Sequence, residues 1–82
     1  MDEQDNFERL RIQYPNACAD VILGKNLEAH YVDVLHLIKV CNDRVDNALL
    51  SGNISEAQTF KNLCYEYYRF KDDIIQAIGN RQ

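Results

Sequence analysis

The segment ALLSGNISEAQTF, Ala48 to Phe60, decides how this chain folds. Its first residues close one apolar-periodic run and its last ones open another, with Ser51-Gly52-Asn53 between them. Gly52 suits the position just past a helix, where a left-handed backbone releases the chain. Ser55, followed three residues on by Gln58, has the form of a capping box, in which hydroxyl and amide satisfy the backbone donors of a new helix. The segment is therefore a tight link between two helices, and so short a link makes them antiparallel neighbours.

Upstream of the link, Leu27, Tyr31, Val34, Ile38, Cys41, Val45 and Ala48 recur at alternating spacings of four and three. That is the seam of an amphipathic helix over 27–51, widened by Leu35, Leu37 and Leu49. Downstream, Phe60, Leu63, Tyr67, Phe70, Ile74 and Ile78 form the seam of a second helix over 56–78. Gly79-Asn80 is the expected stop. Reflection about the turn sets Cys41 level with Cys64, as two small apolar fillers of one core layer.

The N-terminal third carries a shorter helical pattern over 5–23. Phe7, Leu10, Tyr14, Ala17, Cys18 and Val21 keep phase straight through Pro15. An interior proline costs about 3 kcal/mol and disfavours helical geometry at the residue before it. Two arrangements fit: one helix kinked at Tyr14-Pro15, or two short helices with Pro15 opening the second. Gly24-Lys25-Asn26 then turns the chain into the hairpin. The expectation is a single all-α domain over 1–82, a long antiparallel hairpin plus this N-terminal helix, in a three-helix or dimeric bundle.

Composition narrows the functions open to such a domain. At 82 residues a single core is marginal unless well packed or completed by a partner. The net charge of −4, with nine scattered Lys and Arg, supplies no basic face for nucleic acid. Three cysteines without a CxxC pair read as free thiols in a reducing, cytoplasmic compartment, and no apolar run is long enough to span a membrane.

Catalytic and metal chemistry find no footing, and no cofactor is expected. His30 and His36 are six apart, a spacing that prevents them from chelating from one side of a helix. His30 falls on the apolar arc, with one nitrogen expected to meet the N-terminal segment. The serines, Ser51 and Ser55, belong to the turn and cap, and no cysteine has a base placed beside it. Asp72 and Asp73 point about 100° apart and cannot act as a dyad.

What remains is surface. His36 is flanked by Val32 and Val40 on the back of its helix, a second apolar patch that one hairpin leaves uncovered and that the N-terminal helix, a second copy or a foreign partner must cover. Tyr65 and Arg69 face outward together, the chemistry of interface hot spots. Lys71 intrudes on the apolar arc of the last helix, and Asn42 on the flank of the other. In length and layout alone, the chain resembles the short helical-hairpin co-chaperones of needle secretion systems and small phage anti-defence hairpins. The resemblance carries no motif over residue by residue; the apolar surplus of the hairpin itself supports a non-enzymatic adaptor, co-chaperone or phage-type inhibitor that binds a protein partner through helix faces, with Val32, His36, Val40, Tyr65 and Arg69 as the candidate contacts. It is expected to be a homodimer or higher oligomer. The alternative is an oligomeric sponge that holds a nucleotide or similar phosphate between protomers, with Tyr31 and Tyr68 stacking and Lys25 and Lys71 on phosphate.

Overall fold

The computed structural model describes residues 3–81, with side chains from Asn6 to Arg81; Met1, Asp2 and Gln82 of the expected 1–82 domain lie outside the described residues. Three helices make up the fold: α1 (Glu3–Ile22), α2 (Leu27–Leu50) and α3 (Ile54–Arg81). The hairpin of α2 and α3 is the spine, and α1 packs on it more closely against α2 than against α3.

Both turns use the same device. Gly52 has φ +76°, its N–H donates to the Leu49 carbonyl at 3.1 Å, and the Asn53 N–H donates to Ala48 at 2.8 Å. Gly24 has φ +73°, with Gly24 N–H on Val21 at 3.1 Å and Lys25 N–H on Asp20 at 2.8 Å. Each is a Schellman motif, which satisfies the carbonyls that a helix end leaves orphaned.

Two boundaries differ from expectation, both in α3. The start of α3 is capped by Asn53 and Glu56, not by Ser55 and Gln58. The Glu56 N–H donates to Asn53 Oδ1 at 3.1 Å while Asn53 Nδ2 donates to Glu56 Oε2 at 3.0 Å. Asn53 is as good a cap as serine and stands next to the turn, so the helix begins two residues early. At the far end α3 runs through Gly79 to Arg81, whose guanidinium binds the Glu28 carboxylate in the first turn of α2. A cation in a last turn and an anion in a first turn both suit the helix dipoles.

At Pro15 the structure chooses between the two expected arrangements. α1 is one continuous helix, so the broken arrangement is excluded. Pro15 is exposed, which puts the lost backbone bond on the side where water can reach the Arg11 carbonyl.

The core runs between all three helices. Phe7, Leu10 and Val21 from α1 are buried together with Leu27, Val34, Leu37, Ile38, Val40 and Cys41 from α2, and Cys64, Tyr67, Phe70 and Ile74 from α3. Tyr14 meets Tyr67 and Phe70 edge to face, at centroid distances of 5.3 and 5.1 Å. Such pairs contribute about 0.5–1.5 kcal/mol each beyond their buried area.

Candidate functional site

α1 lies along α2 in antiparallel register, pinned at both ends. Near the first turn, His30 Nε2 and Asp20 Oδ2 are 3.0 Å apart, so His30 meets the N-terminal segment as expected. At the other end Arg44 Nη1 lies 3.7 Å from Glu8 Oε1. Between these pins the stripe Asp33, Leu37, Val40 faces α1 at spacings of four and three.

That register divides the expected back-face patch: α1 is the cover for Val40, which is thereby removed from the candidate partner contacts, and Val32 stays open. Val40 is only 6% exposed and belongs to the core, whereas Val32 is 65% exposed. His36 is half-buried, and its Nε2 is shielded from solvent with no hydrogen-bond partner among the described residues. A helix with two neighbours buries a wider arc than a helix with one, and Val40 lies on the edge that α1 covers.

Tyr65 and Arg69 are exposed as expected, and they are not isolated. Both line an open cleft of about 840 Å³ between α1 and α3. Its α1 wall presents Tyr14, Cys18, Val21 and Ile22; its α3 wall adds Glu66, Asp73 and Gln76 around Tyr65 and Arg69. Ile22, on the rim, is 85% exposed. The cleft exists because α1 follows α2 and leaves α3 uncovered along one side.

A second, smaller cavity of about 200 Å³ lies between α1 and α2. Leu10, Val34, Leu37 and Phe70 form its apolar lining, and Asp20, His30 and Asp33 its polar edge. Tyr14 and Phe70 line both spaces, so these two rings are the partition between them.

The alternative ligand set does not converge within the chain. Lys71 Nζ lies 6.0 Å from the Tyr68 ring centroid, so these two meet. Lys25 stands in the turn before α2, and Tyr31 packs against the core. None of the four lines either cleft. Lys71 is half-buried, the setting in which a lysine packs its methylenes and turns its cation to water.

The thiols behave as fillers. Burial pushes the Cys41 thiol up to about 12, reinforced by the adjacent Cys64, and burial also raises Cys64. Cys64 Sγ donates to Asn42 Oδ1 at 3.4 Å, which gives that polar intruder a structural task. Burial likewise pushes Tyr67 up to about 12. Burial and a hydrogen bond with Cys18 hold the Tyr14 hydroxyl well above its ordinary value.

Arg44 is the residue that sequence reasoning missed. Its guanidinium lies over the rings of Phe7 and Phe60, and its Nη2 is buried without a hydrogen-bond partner among the described residues. The available signal was its spacing of seven from Leu37, which puts a cation on the α1-facing stripe.

Fold and site together define a small all-α three-helix bundle with an open cleft along one side. No protein-family model, curated protein or solved structure matches the chain. Among the described residues no helix is long and apolar enough to cross a membrane, and no group of three or more His, Cys, Asp or Glu is placed to hold a metal.

Proposed function

We propose that this is a non-enzymatic interaction protein, an adaptor or inhibitor, that seats a helical segment of a protein partner in the cleft between α1 and α3. The observation that carries this reading is the cleft itself, with its apolar wall at Val21 and Ile22 and its Tyr65-Arg69 rim. Tyrosine and arginine around an apolar floor are the composition of interface hot spots. A fourth helix would complete the bundle. The raised thiols of Cys41 and Cys64 count against nucleophilic catalysis, since the thiolate is the reactive form. Free cysteines fit a reducing compartment such as the cytoplasm.

Self-association is part of the proposal. Val32, Leu35, Tyr68 and Ile75 stay exposed, and helical phase puts Leu35 and Ile75 roughly opposite the α1-facing side at about 100° per residue. A second copy docking there would cover them and leave the cleft free. A monomeric mass in light scattering at micromolar concentration would remove the dimer without touching the cleft reading.

The cleft is tested by parallel capture from the native cell with the wild-type chain and a Tyr65→Ala/Arg69→Ala variant, identified by mass spectrometry. A protein retained by the wild type and lost by the variant is the expected result. Equal retention by both chains, or none by either, would refute it.

A further inference from the structure

The cavity between α1 and α2 has a chemistry that the interaction reading does not use. Its volume of about 200 Å³ exceeds the about 150 Å³ of an apolar cavity that accepts benzene. Its interior is built from Val34, Leu37 and Phe70, all buried, with the Tyr14 ring beside them. Its edge is acidic. Asp20 is engaged by His30 at 3.0 Å, but Asp33, half-buried on the same edge, has no hydrogen-bond or ion-pair partner among the described residues. The Asp33 carboxylate is thus open at the mouth of an apolar cavity, where a cation can pair with it at reduced solvent screening.

We propose that this cavity binds a small organic cation, a primary ammonium or amidinium carried on a compact apolar body. The apolar body takes the space lined by Leu37, Val34 and Phe70, and the cationic head pairs with Asp33. The faces of Tyr14 and Phe70 add attraction, because aromatic quadrupoles favour cations over neutral or anionic groups. Two carboxylates at the edge repel phosphates, so the site is distinct in kind from a nucleotide pocket.

The probe is phenethylamine, set against phenethyl alcohol and phenylacetate, which keep the aromatic body and change the head. Calorimetric titration of the full chain should show one amine bound per chain, with the alcohol and the acid at least tenfold weaker. Asp33→Asn should weaken the amine at least tenfold and leave the alcohol unchanged, while circular dichroism reports an unaltered helix content. Amide NMR shifts should move at residues of α1 and α2 around Tyr14 and Asp33. No binding of the amine, equal affinity for amine and alcohol, an Asp33→Asn variant that binds the amine as well as the parent, or shifts confined to other residues would each overturn the proposal. Ala17→Met, which narrows the space without altering charge, should weaken amine and alcohol together; unchanged affinity would mean that the ligand sits elsewhere.

Discussion

The guanidinium carbon of Arg44 lies 4.4 Å from the centroid of the Phe7 ring. The same group is 5.2 Å from the Phe60 centroid, so one α2 side chain joins α1 to α3 at the end of the bundle remote from the α1–α2 turn. Phe7 is fully buried, and cation–π contacts desolvated in this way are worth about 2 kcal/mol. Arg44→Ala should therefore lower unfolding stability in urea by about 2 kcal/mol, and Arg44→Lys should recover less than half, since an ammonium cannot stack flat on a ring. A double-mutant cycle with Phe60→Leu isolates the contact. Additive losses would show that Arg44 is not coupled to Phe60 and acts through Phe7 and Glu8 instead.

Glycine placement gives opposite signs at two kinds of site. Gly24 and Gly52 hold φ values of +73° and +76°, and a Cβ built at either meets nothing within 4 Å. Substitution there is a backbone effect only, and Gly52→Ala should cost about 1–2 kcal/mol. Gly79 lies inside α3 and is equally open, so Gly79→Ala should stabilise by about 0.5–1 kcal/mol. Thermal melts read both. A destabilising Gly79→Ala would restore Gly79 as a helix stop.

The helix cap can be located by paired substitutions. Asn53→Ala removes the acceptor for the Glu56 N–H and should cost about 1 kcal/mol. Ser55→Ala should change stability by less than about 0.5 kcal/mol, as at an ordinary exposed position. The reverse order of effects would return the start of α3 to Ser55.

How far the fold could be read follows from which residues have one neighbour and which have two. The hairpin was legible because the seams of α2 and α3 answer each other and Gly52 permits the left-handed turn between them. Cys41 against Cys64, and His30 toward α1, followed from register alone. The Asn53 cap was hidden because two overlapping cap signals lie two residues apart, and tertiary contact from Arg81 overrode the Gly79 stop. The cover for Val40 stayed open and Arg44 was missed for one reason: they lie on the edge of α2 that only α1 covers, and a single-helix pattern does not state how wide the covered arc will be. The cleft beside Tyr65 and Arg69 depends on the lean of α1, which no local pattern encodes.

Acid should loosen the end of the bundle where α2 begins. The Arg81 guanidinium, hydrogen-bonded to Glu28, holds that carboxyl below its ordinary value of 4.5. A folded value below the unfolded one means that the contribution is present above the ordinary carboxylate range and is lost as pH falls through the folded value. Glu28→Gln should therefore show a shallower loss of stability below about pH 4.5 than the parent does. Parallel acid titrations followed by circular dichroism check this, and superimposable curves would remove the pair from the acid limb.

Alkali acts through the core with the opposite sign. Cys41 moves from 9.0 and Tyr67 from 10.0, each to about 12, because burial penalises the thiolate and the phenolate. Both folded values are raised, so their contribution is complete below the unfolded values and is lost as pH climbs toward about 12. Stability should begin to fall near pH 9, where unfolded Cys41 and Cys64 ionise, and the double variant Cys41→Ala/Cys64→Ala should delay that onset toward pH 10, where the buried tyrosines Tyr14 and Tyr67 remain. An unchanged onset would mean that the two thiols do not set the limb. The same burial orders thiol reactivity: a thiol reagent should reach half-buried Cys18 in the native state, whereas Cys41 and Cys64 should react only at the rate of unfolding. If Cys64 reacts as fast as Cys18 in native protein, the hairpin opens locally at the Asn42 contact, and the core layer shared by the two thiols is not closed.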